Sequence, residues 1–176
     1  FAAAVKIDSF AYLPVQDFGN AFSTFIAQNY GAKDAGRIRA GLKGAAFTSI
    51  GFGVVLSVLV WVFAAPLMGL FVDAGEAAVI AEGVRYLHIE GAFYFGIGCL
   101  FLLYGLYRAL GRPGMSVVLT VISLGTRVAL AYLLSATPLG VVGIWWSVPI
   151  GWALADIAGV GYYLLRKKRL LSWSDE

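Results

Sequence analysis

The sequence predicts an all-α fold, a polytopic membrane helix bundle with five transmembrane helices. Three observations carry this expectation. First, 60% of the 176 residues are hydrophobic and only 13% are charged, whereas a water-soluble domain keeps about a quarter of its residues charged to face solvent. Second, the apolar residues fall into separable runs near the ~20 residues that a bilayer core of about 30 Å demands of a helix. Third, the basic residues gather in alternate connections, as membrane topology sorts them.

The five runs cover about Ala3 to Tyr30, Leu42 to Val72, Tyr86 to Ala109, Met115 to Thr137 and Val141 to Leu165. Val54 to Ala65 is apolar on every side, and no run shows the period-2 alternation of a membrane barrel. Because only helices or closed barrels satisfy the backbone in lipid, the runs are expected to be helical. Pro14 implies a bend in the first. Gly44, Gly51 and Gly53 on the second are the expected close-packing surface. Gly31 and Gly36, then Gly111, Pro113 and Gly114, then Pro138 and Gly140 punctuate three of the connections, and the last three spans are expected to pack as antiparallel neighbours.

Ten of the 13 basic residues lie in the first connection (Lys33, Arg37, Arg39, Lys43), the third (Arg108, Arg112) and the tail (Arg166, Lys167, Lys168, Arg169). The second connection instead carries Asp73, Glu76 and Glu82 with Arg85 alone. By the positive-inside rule, the basic connections and the C-terminus are cytoplasmic, in an inner (plasma) membrane. The bilayer, not nucleic acid, is therefore the expected partner of a chain with net charge +3. One cysteine, Cys99, and one histidine, His88, support neither a disulfide framework nor a metal site, and no cofactor is expected. No Ser-His-Asp or paired-carboxylate spacing points to an enzyme. The chain opens at Phe1 inside an apolar run, as a piece of a longer protein would.

Several stretches resemble the second half of multidrug and toxic compound extrusion (MATE) transporters. Ile7 to Gly41 carries Pro14 on a helix that leads into Gln28, Asn29, Gly31 and Ala32 and a basic loop with Arg37. Leu67 to Ile89, Leu106 to Val117 and Leu139 to Asp156 are similar to later segments of that family in the same order. The resemblance implies two six-helix lobes, of which the five spans would be the eighth to twelfth helices, with residues 1–176 forming a C-terminal lobe that lacks its first helix. It further implies export of bulky, mostly cationic organic compounds by antiport against protons or sodium ions. The partners would then be the missing N-terminal lobe and small organic cations. One branch of the family carries a coupling carboxylate partway along the third of these helices, with an aromatic hydroxyl one turn earlier. No Asp or Glu follows Glu90 in that run, which places the expected coupling carboxylate outside these residues.

Ionisable side chains in lipid cost roughly 2.5 to 3.5 kcal/mol each, so those present need a reason. Asp17 and Arg127 lie about 20 Å from the basic end of the bundle and Asp156 about 15 Å. As transport-pathway or coupling candidates, Asp17, Arg127 and Asp156 would line a polar cavity and respond to protons or substrate; against that, Arg127 and Asp156 are the expected charge pair, with Asp17 a competing partner by depth. Otherwise Asp17, beside Asn20, is the candidate for a coupling or cation-attracting group. Lys6, Asp8, His88 and Glu90 are expected to form an outer polar cluster, and His88 and Glu90 suit a gate or proton entry. Tyr94, with Phe93, Phe95, Tyr104 and Tyr107, could stack on aromatic cations. Trp145 and Trp146 suit the interfacial belt. The alternatives are a flippase of lipid-linked sugars from the wider superfamily, which needs a cavity richer in cations, and a small structural or assembly membrane protein.

Overall fold

Helix α1 (Ala2–Gly31) leads through a tight turn, in which Lys33 takes a left-handed φ of 55°, into α2 (Ala35–Gly69). The computed structural model describes residues 2–73 and 75–171. The third span is divided into α3 (Ala77–Glu90), one 3₁₀ turn (Gly91–Phe93) and α4 (Tyr94–Ala109). Helices α5 (Pro113–Ser135) and α6 (Val141–Leu170) follow as a hairpin.

Local chemistry sets these ends. Asp34 caps α2, its Oδ1 accepting the Arg37 N–H at 2.9 Å, and this satisfies one of the orphan donors of the first turn. Pro113 opens α5 at a position where its missing N–H costs nothing. Gly111 and Gly140 hold φ of 67° and 52°, which a side chain would strain. Two helices begin well before the apolar runs. α2 starts at Ala35 rather than near Leu42, and α3 at Ala77 rather than near Tyr86. The added residues carry charge, Arg37 and Arg39 on α2 and Glu82 and Arg85 on α3, which hides them from a reading of hydropathy alone.

Among the described residues, four spans are long and apolar enough to cross a membrane: α2, α3 with α4, α5 and α6. The fifth long helix, α1, carries Lys6, Asp8, Gln16, Asp17 and Asn20, which lower its hydropathy. The central element is α4, packed against α1, α2, α5 and α6. Glycines bring the backbones together. A Cβ on Gly105 would stand 2.7 Å from the Gly19 carbonyl oxygen where α4 crosses α1, and one on Gly151 would stand 2.7 Å from that of Ser123 where α6 crosses α5. Van der Waals packing of this kind, not water exclusion, joins helices in lipid. On α2, Gly53 meets the Phe95 backbone as expected, but Gly44 and Gly51 face open space.

Candidate functional site

The N-terminal half of α1, the C-terminal end of α3 and the faces of α4, α5 and α6 line a cavity of about 750 Å³. On α1 it is lined by Asp8, Tyr12 and Gln16, residues at helical spacing on one face. Tyr86 and Glu90 face it from α3, Arg127 from α5, and Trp145 and Trp152 from α6. Both carboxylates are buried. The Tyr94 hydroxyl donates to Asp8 Oδ1 at 2.8 Å, and the Tyr86 hydroxyl donates to Glu90 Oε2 at 3.0 Å, one helical turn away. The Arg127 guanidinium exerts a Coulombic pull on both carboxylates, and Asp8 repels the charge of Glu90. Two acids, two phenols and one cation thus share one polar centre in an otherwise apolar bundle, an arrangement suited to taking up a proton or a small cation.

The centre draws from both groups of residues singled out in the sequence. Asp8 and Glu90 come from the expected outer cluster, and Arg127 from the midplane set. Lys6 is exposed and stays outside. His88 turns to α2, where its ring stacks on Trp61 at 4.6 Å and its Nε2 meets the Trp61 carbonyl oxygen at 3.0 Å. Two residues apart and so on opposite sides of α3, Glu90 turns inward and His88 outward, and His88 is not among the residues lining the cavity.

The Arg127–Asp156 pair is not formed. Asp156 faces α4 near Gly96, and its Oδ1 is buried without a hydrogen-bond partner. Depth along two helices had matched these residues, but their azimuths differ. Asp17 and Asn20 are exposed on α1, away from the cavity, and Asn20 Oδ1 accepts a hydrogen bond from Arg108 Nη2 at 3.1 Å. Trp145 is buried edge-on against Tyr86 rather than at the interfacial belt, where Trp146 remains exposed. Of the aromatic residues on the third span, Tyr104 lines the cavity, Phe95 points outward, and Tyr107 donates to the Gly159 carbonyl. Tyr94 is committed to Asp8.

The place of Glu90 in the third span also differs from the expected one. Because the third span begins at Ala77 and runs to Ala109, Glu90 lies partway along it and not at its end. Tyr86, an aromatic hydroxyl, stands one turn before. Neither Tyr86 nor Trp145 was singled out for the site from sequence. The i, i+4 spacing of Tyr86 and Glu90 was the available signal.

Fold and site together define a bundle of membrane-length helices around a buried polar centre of two carboxylates, two phenols and a guanidinium. The MatE family model matches residues 1–133, and the chain belongs to that family. It is 28% identical over 169 residues to the probable multidrug resistance protein YoeA of Bacillus subtilis (strain 168), covering 94% of this chain and 36% of that protein. It is 31% identical over 164 residues to the probable multidrug resistance protein YpnP of the same organism, covering 93% and 36%. The chain thus spans about a third of the length of these relatives. Among solved structures, an outward-facing multidrug resistance MATE transporter superposes with a TM-score of 0.89 at 20% identity, covering 97% of this chain and 38% of that one. An inward-facing one gives 0.84 at 18% identity, covering 95% and 39%. The MATE transporter ClbM in complex with Rb+ gives 0.86 at 26% identity, covering 99% and 40%.

Proposed function

We propose that this chain is the C-terminal lobe, lacking its first helix, of a multidrug efflux transporter in the cell membrane, with its C-terminus cytoplasmic. The transporter exports organic cations by antiport, and the Asp8–Glu90–Arg127 centre carries the coupling ion, a proton or sodium. The charge balance of the cavity carries the reading. Two buried carboxylates face one guanidinium, so with both acids ionised the centre is one positive charge short of neutral. A proton or one monovalent cation makes up that charge, and the tyrosine hydroxyls and cavity space supply its surroundings. Rubidium binding by ClbM, a relative by structure, supports the cation part of the reading. The second wall of the pathway is assigned to the missing N-terminal lobe, since alternating access needs two bodies that rock against each other. A flippase of lipid-linked sugars fits less well, because Arg127 is the single cation among the described residues lining the cavity.

The test uses the full-length protein in proteoliposomes with an imposed proton or sodium gradient. Asp8→Asn and Glu90→Gln each keep side-chain volume while removing a titratable charge, and each is expected to lower gradient-driven efflux at unchanged folded yield. Wild-type efflux by both variants would reject the assignment.

A further inference from the structure

Helix α6 ends in four consecutive cations, Arg166 to Arg169. Successive helical residues turn by about 100°, so four in a row cannot share one face. Arg166 and Arg169 turn toward Arg112 at the start of α5, while Lys167 and Lys168 turn toward the start of α2. There Arg39 and Lys43 stand one turn apart on the facing helix, and between the two helices lies a hollow of about 480 Å³. Its floor is Leu42, Tyr163 and Leu164, and among the described residues lining it none is acidic. Arg39 acts electrostatically on the Tyr163 hydroxyl, so the two helices address each other across the hollow.

The same two helix faces change character toward the middle of the bundle. On α2 the stripe that begins with Arg39 and Lys43 continues at helical spacing into Phe47 and Ile50, and on α6 the stripe above Lys168 continues into Leu164, Val160 and Ile157. All five of these apolar side chains are exposed. A soluble anion would meet the four cations and leave both stripes idle. An amphiphile with a phosphate head and hydrocarbon tail meets both.

We infer that the α2–α6 groove binds an anionic phospholipid, its phosphate held among Arg39, Lys43, Lys167 and Lys168 and an acyl chain lying along the apolar stripes above them. Charge complementarity selects the headgroup, since each Lys or Arg near an anionic surface adds about 1 kcal/mol of attraction. The exposed hydrocarbon faces select a lipid over free phosphate.

The full-length protein, purified from nanodiscs of phosphatidylcholine and phosphatidylglycerol in equal parts, is assayed by native mass spectrometry for retained lipid. Wild type and the control Lys33→Gln/Arg37→Gln, which removes two cations of the same connection outside the groove, are expected to retain phosphatidylglycerol preferentially. The variant Arg39→Gln/Lys43→Gln/Lys167→Gln/Lys168→Gln is expected to lose that preference at least about tenfold. Equal retention by this variant, an equal loss in the control, or complete displacement of the lipid by inorganic phosphate would each overturn the assignment. Should the fourfold variant not fold, a benzophenone side chain in place of Leu164 in the otherwise unaltered protein is expected to crosslink to phosphatidylglycerol. Crosslinking to none would be equally decisive against it. Retained lipid is read without transport, so this result is independent of the coupling assignment.

Discussion

Tyr94 and Asp8, 86 positions apart in sequence, are joined by a buried hydrogen bond of 2.8 Å from the tyrosine hydroxyl to the carboxylate. Tyr94 also donates its backbone N–H to Ser57 Oγ on α2 at 3.2 Å. One residue just past the 3₁₀ turn therefore ties α1 and α2 to the third span, at the depth where the two carboxylates face Arg127. Position and polarity of the centre are fixed by the same contact.

Tyr94→Phe removes the donor and leaves a buried carboxylate oxygen with one partner fewer. A loss of about 1 to 3 kcal/mol is expected. Thermal unfolding of the full-length protein measures it, and a cycle with Asp8→Asn should return a coupling of at least about 0.5 kcal/mol.

Arg127 and Asp156 have no common partner, so their contributions should add. Arg127→Met deprives Asp8 and Glu90 of their countercharge and is expected to destabilise the fold by about 3 kcal/mol. Asp156→Leu removes a carboxylate oxygen that is buried and unpartnered, and should leave stability unchanged or raise it. Stability of the double variant should match the sum of the singles within about 0.5 kcal/mol. A clear departure would show a coupling that the geometry lacks.

Glycines separate into two groups by what a methyl would meet. Gly105→Ala and Gly151→Ala drive a Cβ against backbone oxygens and are expected to cost about 1 to 3 kcal/mol. Gly44→Ala and Gly51→Ala meet nothing within 4 Å and should stay within about 0.5 kcal/mol of wild type. Melting temperatures of the four variants provide the comparison.

His88 contacts Trp61 and not the cavity. His88→Gln is accordingly expected to leave the pH profile of efflux unshifted, while Glu90→Gln alters it. A matching shift for His88→Gln would bring that residue back into the proton path.

Cysteines placed at Lys33 and Lys168 test orientation. An impermeant thiol reagent added outside intact cells should label neither, and membrane-disrupted cells should show both.

The helical class of the fold was legible because lipid imposes it: apolar runs of bilayer length leave the backbone few other options. The start of the third span was not. Residues 77–85 include Glu82 and Arg85, and their charge marks them as a loop when hydropathy alone is read. That placed Glu90 near the end of the third span instead of partway along it and hid its relation to Tyr86. Pairing Arg127 with Asp156 failed for a different reason. Distance along a helix follows from counting residues, but the direction a side chain takes depends on how neighbouring helices are rotated. Asp156 is turned to α4 and Arg127 to the cavity. Asp8 and Glu90 could be grouped from sequence because both lie toward the same membrane face. Excluding His88 required the two-residue turn between it and Glu90 to be given an orientation.

Glu90 is the last residue of α3, and the 3₁₀ turn begins at the next. The third span is thus a jointed rod rather than a rigid one. Its second section, α4, is riveted to α1 at Gly19 and Gly105 and to α6 where Tyr107 meets the Gly159 carbonyl. Its first section, α3, ends in the carboxylate itself. Because the ladder of i to i−4 bonds is already interrupted at Gly91–Phe93, bending there sacrifices less than bending anywhere else along the rod. Any force felt by the Glu90 side chain is applied with almost no lever arm, directly at the joint.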